Sequence, residues 1–290
     1  MQIIKTGTFI VPKEIITAQL LRNYTYQQKG TDEFISTIFR KDGEYHLPRN
    51  VSKLEKLLGV TFKESMVSPS TFKIIDKTIS KQIPERECKI TLRDYQQEIV
   101  EKLFTNFSNG YTDNIIELAT GGGKTYMLAY IIPTLKEKTL IVVDKTLLVE
   151  QMVSELSSNT NLKIKVLDDK MGLNADVVIT TFQFLRQGDY RRLPKIQNEF
   201  GLLVVDEVHI AGARSINTVV QAINSKYRIG LSATPTRSDN LDEVLSDLFE
   251  HKIVGKITQQ VDMEFILLEN WRMWLLKIYN LTPKIPNTLF

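Results

Sequence analysis

Residues 115 to 125 read Ile-Ile-Glu-Leu-Ala-Thr-Gly-Gly-Gly-Lys-Thr. A short apolar strand therefore leads into a glycine loop, and a helical stretch at 126–135 follows at once. Backbone N–H groups in a glycine-rich turn, together with the positive end of a helix dipole, form a cradle for phosphate groups. This order of strand, loop and helix predicts a binding site for a nucleoside triphosphate.

The polar residues of the loop have predicted roles at such a site. Lys124 would reach the β- and γ-phosphates, and the Thr125 hydroxyl would bind Mg²⁺. The phosphate cradle itself would consist of Thr120, Gly121, Gly122 and Gly123. Leu118 stands at the first glycine position of the usual G-x-x-x-x-G-K-[ST] pattern, so an ordinary glycine-rich turn with an exposed lysine stays the alternative.

Length and composition are those of a globular protein with room for about two domains. No apolar run is long enough to span a membrane, and the first residues lack the apolar core of a signal peptide. Cys88 is the single cysteine, which excludes an internal disulfide and a multi-thiolate metal site. These features predict a cytoplasmic protein without a membrane partner.

Positive charge is concentrated in the N-terminal third. Residues 1–90 hold 15 lysines and arginines against 10 acidic residues, whereas residues 91–290 hold 22 against 24. A basic segment beside a near-neutral remainder is typical of a module that meets phosphate backbone, although many solvated surfaces carry as much charge. Charge alone leaves a nucleic-acid partner and an ordinary surface as equal alternatives.

Residues 1–80 predict a small basic α/β domain that binds DNA. The pattern indicates a strand at 3–11, a hairpin at 34–48 with Asp42-Gly43 as its turn, and a helix at 51–58 that ends at Gly59. Residues 81–90 are expected to form a linker, because they combine a proline with charges of both signs.

From residue 91 helices alternate with short, nearly continuous apolar strands. Strands are predicted at 115–118, 140–143, 164–167, 177–181, 202–206, 228–232 and 251–257, and helices at 94–107, 125–135, 147–156, 183–200 and 215–224. Apolar strands joined by helices indicate an α/β fold with a parallel sheet that is buried on both faces. Ligands of such sheets bind at the carboxyl ends of the strands, where the glycine loop lies.

A second strand ends in the acidic residues that a phosphate site requires. Residues 202–209 read Leu-Leu-Val-Val-Asp-Glu-Val-His. Asp206 at the strand tip would hold the Mg²⁺ that bridges the phosphates, and Glu207 would accept a proton from the attacking water. The alternative is a pair of surface acids, which is common at strand ends but fits less well after a glycine loop.

A third polar group is predicted around His209. Ser232 and Thr234 belong to Ser-Ala-Thr-Pro, which ends another apolar strand. Their hydroxyls would hydrogen-bond His209 and register whether a γ-phosphate is bound. Taken alone, His209 is more often a surface or packing histidine.

Gly-Gly-Gly-Lys-Thr, Asp-Glu-Val-His and Ser-Ala-Thr-Pro, in this order, resemble motifs I, II and III of the superfamily 2 helicases. The resemblance covers residues 92 to 260 and implies a RecA-like P-loop domain over 91–260, with ATP and Mg²⁺ as cofactors. With a small basic domain in front, the chain is most similar to phage recombination helicases that remodel branched DNA. The implied partner is duplex or branched DNA, in the host cytoplasm if a phage encodes the chain.

Further segments resemble motifs of the same superfamily. Residues 92–97, Leu-Arg-Asp-Tyr-Gln-Gln, resemble the Q-motif, which implies that Gln96 reads adenine and that Arg93 helps to place the base. Segments 142–151 and 178–183 resemble motifs that touch the phosphates of one nucleic-acid strand. The implied contact residues are Lys145, Thr146, Thr180, Thr181 and Gln183. For the two strand threonines, plain β-propensity is an equal alternative.

Complete members of the superfamily close the ATP site with a second RecA-like domain that supplies an arginine finger. The resemblance implies that residues 261–290 are a connector toward such a domain, since they are too few to form one. We therefore expect weak ATP binding and poor hydrolysis by this polypeptide alone, and a second polypeptide that carries helicase domain 2. Arg237 is expected to contact that domain or nucleic acid.

Three functions are compatible with these residues. The favoured one is the first motor domain of an ATP-dependent DNA helicase or translocase, with an accessory DNA-binding domain. The alternatives are a non-catalytic module that binds ATP and DNA, and the motor half of a restriction-type translocase. The last should carry a nuclease cluster, and residues 1–90 show no convincing Asp…Glu-x-Lys pattern on a hairpin. DNA versus RNA, polarity and oligomeric state stay open.

Overall fold

The chain folds around two main sheets, and the computed structural model describes residues 2–60, 73–209, 213–233 and 242–256. The N-terminal strands are β1 Gln2–Lys5, β2 Phe9–Val11, β3 Thr25–Gln27, β4 Phe34–Ser36, β5 Phe39–Lys41, β6 Glu44–Leu47 and β7 Lys73–Asp76. The helices beside them are α1 Ala18–Arg22 and α2 Val51–Leu58, with a 3-10 turn at Lys13–Ile15.

The first sheet has the strand order β5-β6-β2-β1-β7, and β3 pairs separately with β4. The single strand predicted at 3–11 is wrong, because Gly7 turns the chain and β1 pairs antiparallel with β2. A Cβ atom at Gly7 would lie 2.2 Å from the Gln221 carbonyl oxygen, so only glycine permits this approach.

The predicted turn and helix of this region are confirmed. Asp42 and Gly43 have φ angles of 51° and 85°, which suit a two-residue hairpin turn between β5 and β6. The hairpin is shorter than predicted, since β4 pairs with β3 instead. Helix α2 ends at Gly59, whose φ of 65° is the left-handed conformation of a C-terminal glycine.

The second sheet carries the remaining strands and helices. Its strands are β8 Asp113–Glu117, β9 Thr139–Val143, β10 Ile164–Val166, β11 Val177–Thr181, β12 Leu202–Val205, β13 Tyr227–Ser232 and β14 His251–Val254. The helices are α3 Asp94–Ser108, α4 Lys124–Leu135, α5 Thr146–Asn159, α6 Phe182–Arg186, α7 Leu193–Ile196, α8 Ala213–Ala222 and α9 Asp242–Leu248. The strand order is β10-β11-β9-β12-β13-β8-β14, and all neighbours are parallel.

Helices cover both faces of this sheet, as predicted. One apolar cluster joins the sheet to α3, α4 and α5 through residues such as Leu103 and Leu128. A second cluster joins the opposite face to α6, α7, α8 and α9 through residues such as Leu185 and Val219. Burial on both faces explains the near-continuous Val, Ile and Leu strands.

The long helix predicted at 183–200 is wrong. The structure has two short helices, α6 and α7, with a turn between them. Gly188, Asp189 and Tyr190 have φ angles of 65°, 53° and 59°, which no right-handed helix accommodates. Apolar spacing alone did not reveal this break, because the flanking residues keep helical periodicity.

The N-terminal sheet packs against the second sheet within one compact unit, Met1–Lys256. Ile35 of β4 joins the apolar cluster around α8 and α9. Residues of the predicted linker also pair with segments beside the second sheet, through bridges from Gln82 to Glu137, just before β9, and from Cys88 to Thr160, just after α5. The domain boundaries drawn from the sequence stay a prediction. No helix within the described ranges is long and apolar enough to cross a bilayer.

Candidate active site

The glycine loop lies between β8 and α4, and its glycines are sterically required. Gly121 and Gly123 both have a φ of 78°, which side-chain-bearing residues rarely adopt. A Cβ atom at Gly122 would lie 2.5 Å from Leu118 Cγ, and one at Gly123 would lie 2.4 Å from Gln96 Nε2. The Leu118 side chain is buried directly beneath the loop, which accounts for its place in the pattern.

Lys124 and the two acids that follow β12 meet at this edge of the sheet. Lys124 Nζ donates a hydrogen bond of 2.7 Å to Glu207 Oε1, and both side chains are mostly buried. Asp206 follows the last residue of β12 and accepts from the Glu207 backbone N–H at 3.0 Å. Burial and the neighbouring Glu207 carboxylate raise the pKa of Asp206 to about 6, although Lys124 opposes that shift.

His209 and Ser232 complete this group of side chains. Glu207 Oε2 is buried and finds no hydrogen-bond partner among the described residues, but His209 Nδ1 lies 3.3 Å away. The same nitrogen lies 3.0 Å from Ser232 Oγ. The predicted neighbours are thus adjacent, while their role in sensing phosphate stays a prediction. Thr234 and Arg237 lie outside the described residues.

The Q-motif residues support the loop from below. Gln96 is buried, donates from Nε2 to the Gly122 carbonyl at 3.0 Å and accepts from the Arg93 backbone N–H at 3.0 Å. Both ends of its carboxamide are therefore engaged, and adenine recognition by Gln96 and exposed Arg93 stays a prediction. Tyr95 also donates to the Gly122 carbonyl, at 3.1 Å. The sequence analysis did not predict this contact. The one feature of the sequence that indicates it is the position of Tyr95 next to Gln96.

Most predicted nucleic-acid contacts lie on the same edge. Lys145 and Thr146 are exposed at the N-terminus of α5, directly after β9. Thr181 pairs with Val143 in the sheet and caps α6 by accepting from the Phe184 N–H at 3.1 Å.

Two further predicted contacts differ in their exposure. Gln183 is exposed on α6, but Thr180 is only 1% exposed. A buried Thr180 side chain is not accessible to a nucleic-acid strand, so the predicted contact would be made by the other four residues.

Across the described residues, no group of three or more His, Cys, Asp or Glu side chains is placed to hold a metal ion. Thr125, half-buried at the start of α4, and Asp206 remain the predicted Mg²⁺ ligands, together with phosphate oxygens. Thr120 and Gly121 are exposed at the mouth of the loop.

Comparison with protein families decides the relationship of the chain. The family model described as "Type III restriction enzyme, res subunit" matches residues 89–237, just over half of the chain. The chain belongs to this family. The match spans the glycine loop, the Asp-Glu-Val-His strand and Ser-Ala-Thr-Pro, and it confirms the resemblance to superfamily 2 helicases that their order predicted.

Two curated relatives show how far the similarity extends. A putative ATP-dependent RNA helicase of Acanthamoeba polyphaga mimivirus is 34% identical over 176 residues, which are 59% of this chain and 33% of the relative. A DNA 3'-5' translocase of Sulfurisphaera tokodaii is 30% identical over 178 residues, which are 61% of this chain and 38% of the relative. The chain therefore spans little more than a third of the length of these relatives.

A solved structure extends the similarity of fold beyond residues 89–237. The crystal structure of the UvsW helicase from bacteriophage T4 has a TM-score of 0.60 and 18% sequence identity. The superposition covers 88% of this chain and all of that one. It confirms the predicted RecA-like fold with a small domain in front.

Proposed function

We propose that the chain carries the first motor unit of an ATP-driven DNA helicase or translocase. The observation that carries the proposal is the cluster of Lys124, Glu207 and Asp206 behind a glycine loop, at the carboxyl edge of a parallel sheet. Family membership supports the ATP-driven motor, because relatives of the chain are named as a putative ATP-dependent RNA helicase and a DNA 3'-5' translocase. The second name supports DNA as the nucleic acid.

ATP with Mg²⁺ is the proposed nucleotide. A Cβ atom at Gly122 or Gly123 would collide with Leu118 or Gln96, so only glycine permits this tight loop, whose backbone N–H groups are proposed to bind phosphate oxygens. Thr125 and Asp206 offer the oxygen ligands that Mg²⁺ prefers, and the ion would neutralise charge on the phosphates.

The described side chains suit the activation of water. Lys124 donates to Glu207 Oε1, and phosphate groups would draw the lysine away and free this carboxylate oxygen. Glu207 would then accept a proton from the attacking water, while His209 stays close to Oε2. Ser232 contacts the same histidine and, with Thr234, is proposed to couple this group to movement of the chain.

DNA, duplex or branched, is the proposed partner. Lys145, Thr146, Thr181 and Gln183 lie on the edge that carries the nucleotide site, where contacts to backbone phosphates would position one strand. The excess of lysine and arginine in residues 1–90 supports a further contact by the N-terminal sheet.

The complete motor is proposed to need a second RecA-like domain, supplied by further sequence or by a second polypeptide. Arg237 is proposed to contact that domain or nucleic acid. Loss of an arginine finger costs about 10³- to 10⁵-fold in related phosphoryl-transfer enzymes, so these 290 residues alone should hydrolyse ATP slowly. The proposed location is the cytoplasm, or the host cytoplasm for a phage protein.

The motor half of a restriction-type translocase is the second candidate. The description of the matching family model names a restriction subunit, which favours it. The match lies within residues 89–237, however, and these carry the motifs that both classes share. A nuclease assay on plasmid DNA separates the two candidates, since the helicase should leave the plasmid intact.

Nucleotide binding and hydrolysis by the 290-residue polypeptide test the proposal. Binding of a fluorescent ATP analogue with Mg²⁺, and hydrolysis with and without forked DNA, should both depend on Lys124. Lys124→Ala should lose binding, whereas Lys102→Ala, which removes an exposed lysine of α3, should not. Equal ATP binding by the Lys124→Ala variant and the unmodified chain would disprove the proposed role of the loop. DNA that stimulates no hydrolysis in this chain, even with helicase domain 2 added, would favour the non-catalytic module.

A further inference from the structure

We propose that a groove between β4 and helices α6 and α8 binds single-stranded DNA by stacking bases on Phe34 and pairing phosphates with Arg186 and Arg214. The groove has a volume of about 490 Å³ and is lined by Phe34, Ser36, Arg186, Tyr190, Arg214 and Asn217, among others. The proposal deepens the proposed function, on which it rests, by assigning a second strand-binding surface to named residues.

The groove is held in shape by contacts between the N-terminal strands and α8. Asn217 Nδ2 donates to the Ser36 carbonyl at 3.2 Å, and Gln221 Nε2 donates to the Thr37 carbonyl at 2.9 Å. Ile35, between Phe34 and Ser36, is buried in the apolar cluster that joins the second sheet to α6, α7, α8 and α9. Strand alternation then leaves Phe34 on the outer side, where it is 58% exposed.

The exposed groups of the groove have the chemistry of a single-strand site. An exposed aromatic ring stacks any base, and neighbouring arginines attract the backbone phosphates. Arg186 and Arg214 are both exposed. Glu33 lies 4.0 Å from Arg214, but both side chains are more than 60% exposed, so this surface pair is weak and a phosphate can replace it.

Helix α6 connects the groove with the proposed strand contacts at the nucleotide edge. Thr181 caps its N-terminus, and Arg186 is its last residue. A helix of five residues is about 7.5 Å long, so a DNA strand that contacts Thr181 can also contact Arg186 along the same direct path.

The turn after α6 is fixed by Arg192. This residue is buried, stacks over the Phe184 ring at 4.1 Å and donates to the Phe184 and Gln187 carbonyls. Tyr190 is placed at the groove by the same turn, with its hydroxyl 3.3 Å from Ser215 Oγ. The groove therefore continues the proposed strand path on a rigid support.

Binding of fluorescein-labelled oligothymidylates to the full 290-residue chain tests the proposal by anisotropy. Oligonucleotides of about 4 and about 16 nucleotides bracket the site sizes of single-strand binders. Phe34→Leu should weaken the long oligonucleotide on the order of tenfold and leave the short one unchanged, while Phe34→Tyr should keep the affinity. The double variant Arg186→Gln with Arg214→Gln should make the plot of log K against log[salt] less steep, with the magnitude of its negative slope smaller by about 1.4.

Matched controls are Phe39→Leu and Arg22→Gln, because Phe39 is an exposed ring on β5 and Arg22 an exposed arginine on α1, both outside the groove. Neither should change the affinity. Unchanged binding by the Phe34→Leu and double-arginine variants, with binding still lost in Lys145→Gln, would overturn this inference alone. No binding of any oligonucleotide by the unmodified chain would overturn the proposed DNA function with it.

Two further arms check the type of nucleic acid. An effect of Phe34→Leu on duplex DNA as large as on the single strand would overturn stacking as the mechanism. An effect confined to an oligouridylate of equal length would overturn the assignment to DNA.

Discussion

Two buried carboxylates lie at opposite edges of the same parallel sheet, and their environments shift their pKa values in opposite directions. Asp113 is the first residue of β8, at the amino edge, and Asp206 follows the last residue of β12, at the carboxyl edge. Burial alone would raise the pKa of both groups. The surrounding cations decide how each acid departs from this expectation.

Cations surround Asp113. Burial raises its pKa, but Arg49, Arg228 and Lys5 outweigh that effect and hold the pKa below its usual value. Arg49, between β6 and α2, pairs directly with the Asp113 carboxylate, and it also donates to the Ser225 carbonyl at 2.7 Å. Arg228 donates to the Gly7 carbonyl at 2.6 Å. This cluster therefore joins the two sheets.

Asp206 has the opposite balance. Among the described residues, Lys124 is the cation that lowers the pKa of Asp206, while burial and Glu207 raise it to about 6. The lysine is hydrogen-bonded to Glu207 rather than to Asp206. Asp113, surrounded by cations, stabilises the fold. Asp206, whose pKa is raised, is suited to bind a cation that arrives with a ligand.

Removal of the Asp113 charge tests the structural half of this comparison. Asp113→Asn leaves two buried guanidinium groups without their carboxylate, and loss of one partner of a buried pair costs about 3–5 kcal/mol. The midpoint of urea unfolding should fall accordingly. The exposed Asp32→Asn serves as control and should unfold like the unmodified chain. A midpoint unchanged by Asp113→Asn would show that the cluster does not stabilise the fold.

Replacement of Glu207 tests the catalytic half. Glu207→Gln should reduce single-turnover ATP hydrolysis on the order of 10²- to 10³-fold, because a carboxamide cannot accept the proton from water. Binding of the fluorescent ATP analogue should persist. Glu98→Gln, an exposed acid of α3, should leave both quantities unchanged. Hydrolysis by the Glu207→Gln variant at the normal rate would remove this residue from catalysis.

The raised pKa of Asp206 makes folding stability depend on pH. The folded state binds the Asp206 proton more tightly than the unfolded chain does, because the aspartate pKa of the unfolded chain is near 3.8. Ionisation of Asp206 therefore lowers the free energy of unfolding by its full amount above pH 6 and by nothing below pH 3.8. Asp206→Asn should therefore stabilise the chain by up to about 3 kcal/mol at pH 7.5. The gain should fall to about half at pH 5. A gain that is independent of pH would contradict the assigned pKa.

The smallest expected effect concerns Tyr95, whose hydroxyl shares the Gly122 carbonyl with Gln96. Tyr95→Phe removes one neutral hydrogen bond, worth about 1 kcal/mol, and should weaken ATP binding about fivefold. Tyr130→Phe, on the far part of α4, is the matched control. Equal affinities of the two variants would show that Gln96 alone supports the loop.

Local patterns predicted the parts of the fold that local chemistry determines. Strand β11 and helix α2 have the predicted bounds. A nearly continuous apolar run suffices to define the strand, and helical apolar spacing with a terminal glycine suffices to define the helix. The break after α6 depends on positive φ angles at Asp189 and Tyr190, and the identity of these residues does not predict such angles. The turn at Gly7 depends on a carbonyl of α8, far away in sequence.

The same distinction holds for the site. Lys124, Asp206 and Glu207 were identified because each follows or ends an apolar strand of one parallel sheet, and such strand ends share an edge. The pairing of Arg49 with Asp113 was not predicted, since it joins residues 64 positions apart and each charge alone resembles a surface residue. The engagement of Gln96 by the loop backbone was also beyond sequence reasoning.

Glu207 has a φ of 47°, in the left-handed region of backbone conformation. Glycine and asparagine adopt this region readily, whereas a longer side chain strains the backbone there. A choice of stabilising substitutions by backbone conformation alone would select Glu207→Gly, because glycine relaxes this φ angle. That variant would leave the mostly buried Lys124 without its carboxylate partner and would remove the proposed catalytic base. Efforts to improve expression of this protein should therefore hold position 207 fixed.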